Sequence, residues 1–331
     1  MQGINVLSLF DGMSCAMLAL EKLGIPVKNY YASEIDKFAI KVSKKNYPNI
    51  IQLGDVTNWR EWDLPGIDLI IGGSPCQGFS NAGKRLNFDD PRSKLFFEFV
   101  DIVNHYNPKY FLLENVRMKE EHRKVITDYM KVEPIMINSA LVSAQNRVRY
   151  YWTNIPAVKQ PKDKGIALSD IIEINPENYT IMSDNFTKRN KNVGCLIDSS
   201  KKKASNLSAL EYVKNGRQGD YLLCDVKGAA LRNQVTKRGI EAQLNIRKDT
   251  KSNCVVPSWP HKLNGCVEYF RAFEEPKYRK LTPIECERLQ TVPDNYTDSV
   301  SNTQRYKMLG NGFTVDVIAH ILSYGYYSLR D

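Results

Sequence analysis

Over its first 150 residues the chain alternates short apolar runs with amphipathic stretches, and this alternation restricts it to a narrow set of folds. Asn5–Phe10 (NVLSLF) predicts a strand, and Ser14–Leu23 a helix with apolar residues at Met17, Leu18, Leu20 and Leu23. Further strands are expected at Tyr30–Ser33, Ile67–Ile71, Lys109–Leu113, Pro134–Leu141 and Tyr150–Thr153. Helices are expected at Asp36–Lys45, Ser93–His105 and Lys119–Val132. Strands separated by helices join through crossovers, which predicts an α/β fold with a doubly wound, mostly parallel sheet. Ligands of such sheets bind beyond the carboxyl ends of the strands.

The pattern changes after Pro156. Residues 156–278 are rich in Lys, Asn, Ser and Gly, with short strand-like pieces at Gly219–Val226 and Ala242–Ile246. Periodicity returns at Leu281–Leu289, where Thr282 can cap a helix begun by Pro283, and at the amphipathic Thr314–Ser323. Three segments follow: 1–155 as a first domain, 156–278 as a smaller irregular domain, and 279–331 returning to pack on the first. The whole chain has 46 Lys+Arg against 37 Asp+Glu, and 156–278 carries seven of the nine excess positive charges. Such asymmetry suits a polyanion, with nucleic acid as the default, or else a solvated basic surface.

With 42% apolar and 25% charged residues, a packed core is expected rather than disorder. No run approaches the ~18 apolar residues of a membrane span, and the start lacks the basic region of a signal peptide, so a soluble, cytoplasmic protein is expected. Seven cysteines without a CxxC pair, and only four histidines, argue against a zinc site, and no metal is expected. A cysteine that matters here acts as a thiol.

The candidate chemistry falls at strand ends. Phe10-Asp11-Gly12-Met13-Ser14 joins the first strand to the first helix, where free N–H groups can meet a polar ligand. The second strand ends in Ser33-Glu34, and a carboxylate there can accept both hydroxyls of a ribose. Gly54-Asp55-Val56 adds an Asp for an adenine amine. These pieces fit any nucleoside cofactor, and equally an ordinary turn with an exposed Glu. More specific is Gly72-Gly73-Ser74-Pro75-Cys76-Gln77-Gly78-Phe79-Ser80, a rigid turn presenting Cys76 as a nucleophile rather than a buried apolar residue. Glu114, after an apolar strand, can share a proton with a substrate nitrogen, or merely cap the next helix. In Gln145-Asn146-Arg147-Val148-Arg149, two arginines two residues apart are expected on one strand face, to hold phosphate or a base carbonyl.

In this order the motifs SLFDG, SEID, GDV, GGSPCQGFS, LLENV, QNRVRYYW, RKLTPIECERLQTVPD and LGNGFTV resemble those of the DNA cytosine-5 methyltransferases. The resemblance covers both flanks of the chain, with 156–278 where the family's variable target-recognition domain lies. Two departures stand out. Ser14-Cys15 replaces the further glycines of the first turn, a form similar to the animal de novo branch, and Gly312 stands where a Ser often follows the Asn.

The resemblance implies methyl transfer from S-adenosylmethionine to C5 of a cytosine flipped out of double-stranded DNA, leaving S-adenosylhomocysteine. It assigns Cys76 to attack on C6, Glu114 to N3, and Arg149, with Arg147, to the O2 carbonyl. It assigns the cofactor to Phe10, Gly12, Glu34, Ile35, Asp55, Val56, Pro75, Leu95, Asn311 and Phe313. The stretch 77–97 resembles a mobile catalytic loop, with Ser80, Lys84 and Arg85 near the DNA backbone. Arg232, Gln234, Lys237, Arg238, Gln243 and Arg247 are candidates for reading base edges. A monomer suffices for the reaction, and a restriction endonuclease acting on the same site is a candidate partner. A tRNA cytosine-5 methyltransferase and a non-catalytic DNA-binding homologue are the alternatives.

Overall fold

The computed structural model describes residues 3–74, 91–173, 180–181, 223–236, 239–246, 251, 264–270 and 277–325. Seven strands form the main sheet: β1 (Ile4–Leu9), β2 (Val27–Ser33), β3 (Ile51–Gln52), β4 (Leu69–Gly72), β5 (Tyr110–Val116), β6 (Ile135–Asn138) and β7 (Val148–Thr153). Their order is β3-β2-β1-β4-β5-β7-β6, parallel from β3 to β5, with β7 antiparallel to both its neighbours. The fold is the expected α/β, mostly parallel sheet. From β1 the chain builds outward to β3, then returns to β4 and builds the other way. The strand order therefore reverses between β1 and β4, which opens a crevice at their carboxyl ends.

Both faces of the sheet are covered, which explains why its central strands are continuous apolar runs. Val6, Leu69, Ile71 and Leu112 enter one core with α1 (Cys15–Lys22). Leu7, Leu9, Ile70 and Leu113 enter the other with α3 (Pro91–Tyr106) and α4 (Glu120–Met130). Helix α2 (Lys37–Asn46) is capped by Asp36, whose carboxylate accepts from the Phe38 N–H. No helix among the described residues is long and apolar enough to cross a membrane.

A second sheet holds β8 (Thr180–Ile181), β9 (Leu223–Thr236), β10 (Gly239–Ile246), β11 (Asn264–Phe270) and β12 (Lys277–Lys280), in the antiparallel order β10-β9-β11-β12-β8. Here the structure departs from the short strands expected. β9 is 14 residues long and pairs with β10 as a hairpin, although its Gly and Ala content gives little strand signal.

The chain then returns to the first sheet through α5 (Pro283–Leu289), α6 (Asn302–Asn311) and α7 (Val315–Ser323). Thr282 and Glu285 form the capping box of α5. Helix α7 buries Val315, Val317, Ile318, Ile321 and Leu322 against α1, each such side chain contributing about 1.5–3 kcal/mol. The Tyr296 hydroxyl donates to the Met13 carbonyl, and Lys22 pairs with Asp316. Helix α6 has no apolar period; only Met308, Leu309 and Gly310 are buried, so sequence pattern does not reveal it.

Candidate active site

The two glycine-containing turns leave adjacent strands in register, since Leu9 of β1 pairs with Gly72 of β4. The first turn is conformationally demanding: Phe10, Gly12 and Ser14 all lie in the left-handed region, at φ 57°, 61° and 63°. Each non-glycine there costs roughly 1–3 kcal/mol and needs outside support. That support comes from Asp11, buried beneath the turn. Its N–H donates to the Ser33 carbonyl, and its carboxylate accepts from the Ser14 hydroxyl at 2.5 Å and the Tyr30 hydroxyl at 2.7 Å. Burial pushes the Asp11 carboxyl up to about 6, against the lowering effect of its hydroxyl donors. No sequence signal marked Tyr30 as its partner, because the contact is made across strands.

Glu34, at the end of β2, accepts from the Gly12 N–H through Oε2 and from the Ile35 and Asp36 N–H groups through Oε1, each at 2.8 Å. The carboxylate is thereby fixed at the crevice with acceptor capacity to spare. Ile35 beside it is 73% exposed, an apolar surface with nothing packed over most of it. Asp55 is exposed and its Oδ1 caps the turn at Thr57, whereas Val56 is buried. Leu95 is half-buried on α3. A fixed carboxylate with acceptor capacity to spare and an exposed isoleucine fit a nucleoside with a vicinal diol and a flat base.

The second turn begins at Gly73. A Cβ there would lie 3.1 Å from the Phe313 ring and 3.3 Å from Glu114 Oε2, so the three residues converge tightly. Ser74 is held by the Asn115 side chain, which donates to its hydroxyl at 3.3 Å. Asn115 thus has a role that its place in the Glu-Asn-Val motif did not disclose. Pro75, Cys76, Ser80, Lys84 and Arg85 lie outside the described residues. From Pro91 onward the stretch expected as a loop to Phe97 is helix α3.

Glu114 lies within β5 rather than at its end, because Glu114, Asn115 and Val116 still pair with Tyr151, Tyr150 and Arg149 of β7. Arg149 Nε stands 3.0 Å from Glu114 Oε1, an ion pair whose side chains are only 14% and 10% exposed. Arg147 departs from expectation. It precedes β7, its N–H donates to Asn138 Oδ1, and its carbonyl accepts from the Ser139 N–H. Its buried guanidinium donates to the Gly310 and Gly312 carbonyls, at 3.2 and 3.0 Å, on either side of the exposed Asn311. The arginines therefore do not share one strand face, because the backbone at Arg147 is committed to a turn.

In the second sheet, Gln243 of β10 stands opposite Arg232 of β9, with Gln234 two positions along. Lys237, Arg238 and Arg247 lie outside the described residues.

The strand-order reversal, the two turns and the Glu114–Arg149 pair lie together in an α/β fold shared with solved methyltransferases. The family model for the C-5 cytosine-specific DNA methylases matches residues 4–324, and the chain belongs to that family; it is a DNA (cytosine-5-)-methyltransferase. It is 30% identical to the type II methyltransferase M1.ScrFI of Lactococcus lactis subsp. cremoris, over 95% of this chain and 76% of that one. It is 28% identical to the type II methyltransferase M.NlaX of Neisseria lactamica, over 96% and 94%. Among solved structures, the fold matches the S. pombe Dnmt2 methyltransferase with a TM-score of 0.65, 18% identity, and 99% and 100% coverage.

Proposed function

We propose that this enzyme methylates C5 of a flipped cytosine within one short sequence of double-stranded DNA, through a covalent bond between Cys76 and C6. The observation that carries this reading is the convergence of Gly73, Glu114, Arg149 and Phe313 beside the β1–β4 crevice, three residues before Cys76 in the case of Gly73. Cytosine C5 is a poor nucleophile. Attack of the Cys76 thiolate on C6 forms a C–S bond and moves the ring electrons toward C5 and N3. Glu114 shares a proton with N3 and so holds the developing charge. Arg149 binds the O2 carbonyl and fixes the Glu114 carboxylate. S-adenosylmethionine, when bound, supplies an electrophilic methyl group on its sulfonium. After methylation a base removes the C5 proton, C5=C6 re-forms and Cys76 leaves.

Glu34 would take the ribose hydroxyls of S-adenosylmethionine, Ile35 the adenine face, and Gly12 with Phe10 the edge of the turn. Asp55 and the Val56 backbone would meet the adenine rim, with Pro75, Leu95, Asn311 and Phe313 closing the pocket. The basic segment 156–278, acting as the target-recognition domain between 1–155 and 279–331, would grip phosphates and read base edges. A monomer is sufficient for this chemistry. The type II relatives suggest a restriction-modification role in the cytoplasm, with a cognate endonuclease as partner.

The test is bisulfite sequencing of genomic DNA from a methylation-free bacterium expressing the chain, with Cys76→Ser as control. Protection of cytosines in one short motif, absent in the control, is expected. Protection equal in the two strains overturns the covalent mechanism, and methylation confined to tRNA overturns the DNA substrate.

A further inference from the structure

A seam of buried polar groups joins the β6–β7 region to the return segment. The Ser139 hydroxyl donates to Thr314 Oγ1 at 2.9 Å, and Thr314 Oγ1 donates to Gln290 Oε1 at 2.9 Å. Gln290 Nε2 in turn donates to the Leu309 carbonyl, and Gln145 Nε2 to the Leu289 carbonyl. Ser139, Gln145, Gln290 and Thr314 are each at most 1% exposed. A buried network of this kind is specific in geometry, because any misplacement leaves a polar group unpaired. Beside this seam, Arg147 reaches the same segment at the two carbonyls that flank Asn311.

The geometry points to Arg147 as a positioning residue that couples the cofactor pocket to the base-binding pair, rather than as a ligand of the base itself. Its guanidinium spans the two carbonyls flanking Asn311, while its backbone leads within one residue into the strand that carries Arg149. Phe313, one residue past the clamp, packs against Gly73 on the approach to Cys76. One rigid, planar, multiply donating side chain thereby links the last turn of α6 to the start of β7. A lysine cannot reproduce this, since its ammonium lacks the fork geometry needed to serve both carbonyls at once. Occupation of the pocket beside Asn311 and alignment of Arg149 on Glu114 are therefore linked through Arg147.

This inference rests on the proposed cofactor site, and the experiment separates the two. Wild type, Arg147→Lys and Arg149→Lys are compared for KM of S-adenosylmethionine, kcat, and binding of S-adenosylhomocysteine by calorimetry. For Arg147→Lys, KM and the S-adenosylhomocysteine Kd are expected to rise about 10-fold, the order set by one charged hydrogen bond, and kcat to fall with them because Arg149 loses its alignment on Glu114. Arg149→Lys should lower kcat alone, with little change in KM. Thr314→Val, which breaks the seam without touching the clamped carbonyls, should lower Tm yet leave KM within about twofold. Should Arg147→Lys not fold, hydrogen exchange on the wild type decides. S-adenosylhomocysteine should then protect amides at 147–151 as well as at 309–314.

A fall in kcat at unchanged KM for Arg147→Lys would place this arginine on the base and overturn the inference. Protection confined to 309–314 would overturn it too. Wild type that fails to bind S-adenosylhomocysteine would instead refute the cofactor assignment.

Discussion

Arg149 meets Glu114 diagonally across two antiparallel strands: it stands opposite Val116 in register, two positions from Glu114, and its Nε lies 3.0 Å from the carboxylate. Residues two apart on a strand face the same way, so the strand offset delivers the charge pair that the proposed chemistry uses.

Glu114→Gln should lower kcat by ~10²–10⁴, the range for a general acid or base. It also leaves the Arg149 charge in a nearly closed site, so Tm should fall as well. In a double-mutant cycle, Glu114→Gln with Arg149→Met should destabilise by less than the sum of the single changes, by about 0.5–3 kcal/mol. Strict additivity in chemical denaturation would show that the pair is uncoupled.

Gly73→Ala tests the crowding at the second turn. The added methyl must push against the Phe313 ring or Glu114, each within 3.3 Å of it. A displacement of a few tenths of an ångström three residues before the proposed nucleophile Cys76 should reduce kcat about 10-fold. Steady-state rates and far-ultraviolet circular dichroism on the same preparation separate this from misfolding.

Glu34→Ala removes the acceptor of three backbone N–H groups and, on the proposed reading, of the ribose hydroxyls. S-adenosylhomocysteine affinity should drop at least ~10-fold, two lost hydrogen bonds to a charged group being sufficient. Calorimetric titration giving a wild-type Kd would remove Glu34 from the pocket.

Asp11 makes stability depend on pH with a defined sign. Its folded-state carboxyl is raised from 3.8 to about 6, chiefly by burial. Below about pH 4 the group is protonated folded or unfolded, and its contribution is fully present. Between pH 4 and 6 the unfolded chain gives up the proton first, so stability falls as pH rises and levels off above 6. The loss amounts to about 3 kcal/mol for a shift of this size. Asp11→Asn lacks this titration, so its Tm relative to wild type should climb by several degrees from pH 4 to pH 7. A pH-independent difference in scanning calorimetry would contradict the assignment.

Much of this was legible in the linear chain. The apolar runs at Asn5–Phe10, Ile67–Ile71 and Lys109–Leu113 became β1, β4 and β5, because strands covered on both faces must be apolar throughout. Thr282-Pro283 announced α5 through capping chemistry that operates within a few residues, and the structure adds Glu285 to that cap. The turn at Gly12 and the carboxylate of Glu34 carried the crevice in their spacing, since each ends a strand of one crossover unit.

What stayed hidden was whatever depends on distant partners. Helix α6 has no period to read, since it is held from outside by contacts around Leu309 and Gly310. Asp11 and Tyr30 are 19 residues apart, and they meet because β1 and β2 pair in parallel. Arg147 and Arg149 looked equivalent in the motif, yet one closes on the Gly310 and Gly312 carbonyls and the other on Glu114. Local pattern is set by short-range sterics and burial, so the chain spells out its strands, caps and turns. Which side chains share a site is set by register and by the return of α6 and α7 nearly 300 residues after β1, and that emerges when the sheet and its covering helices pack together.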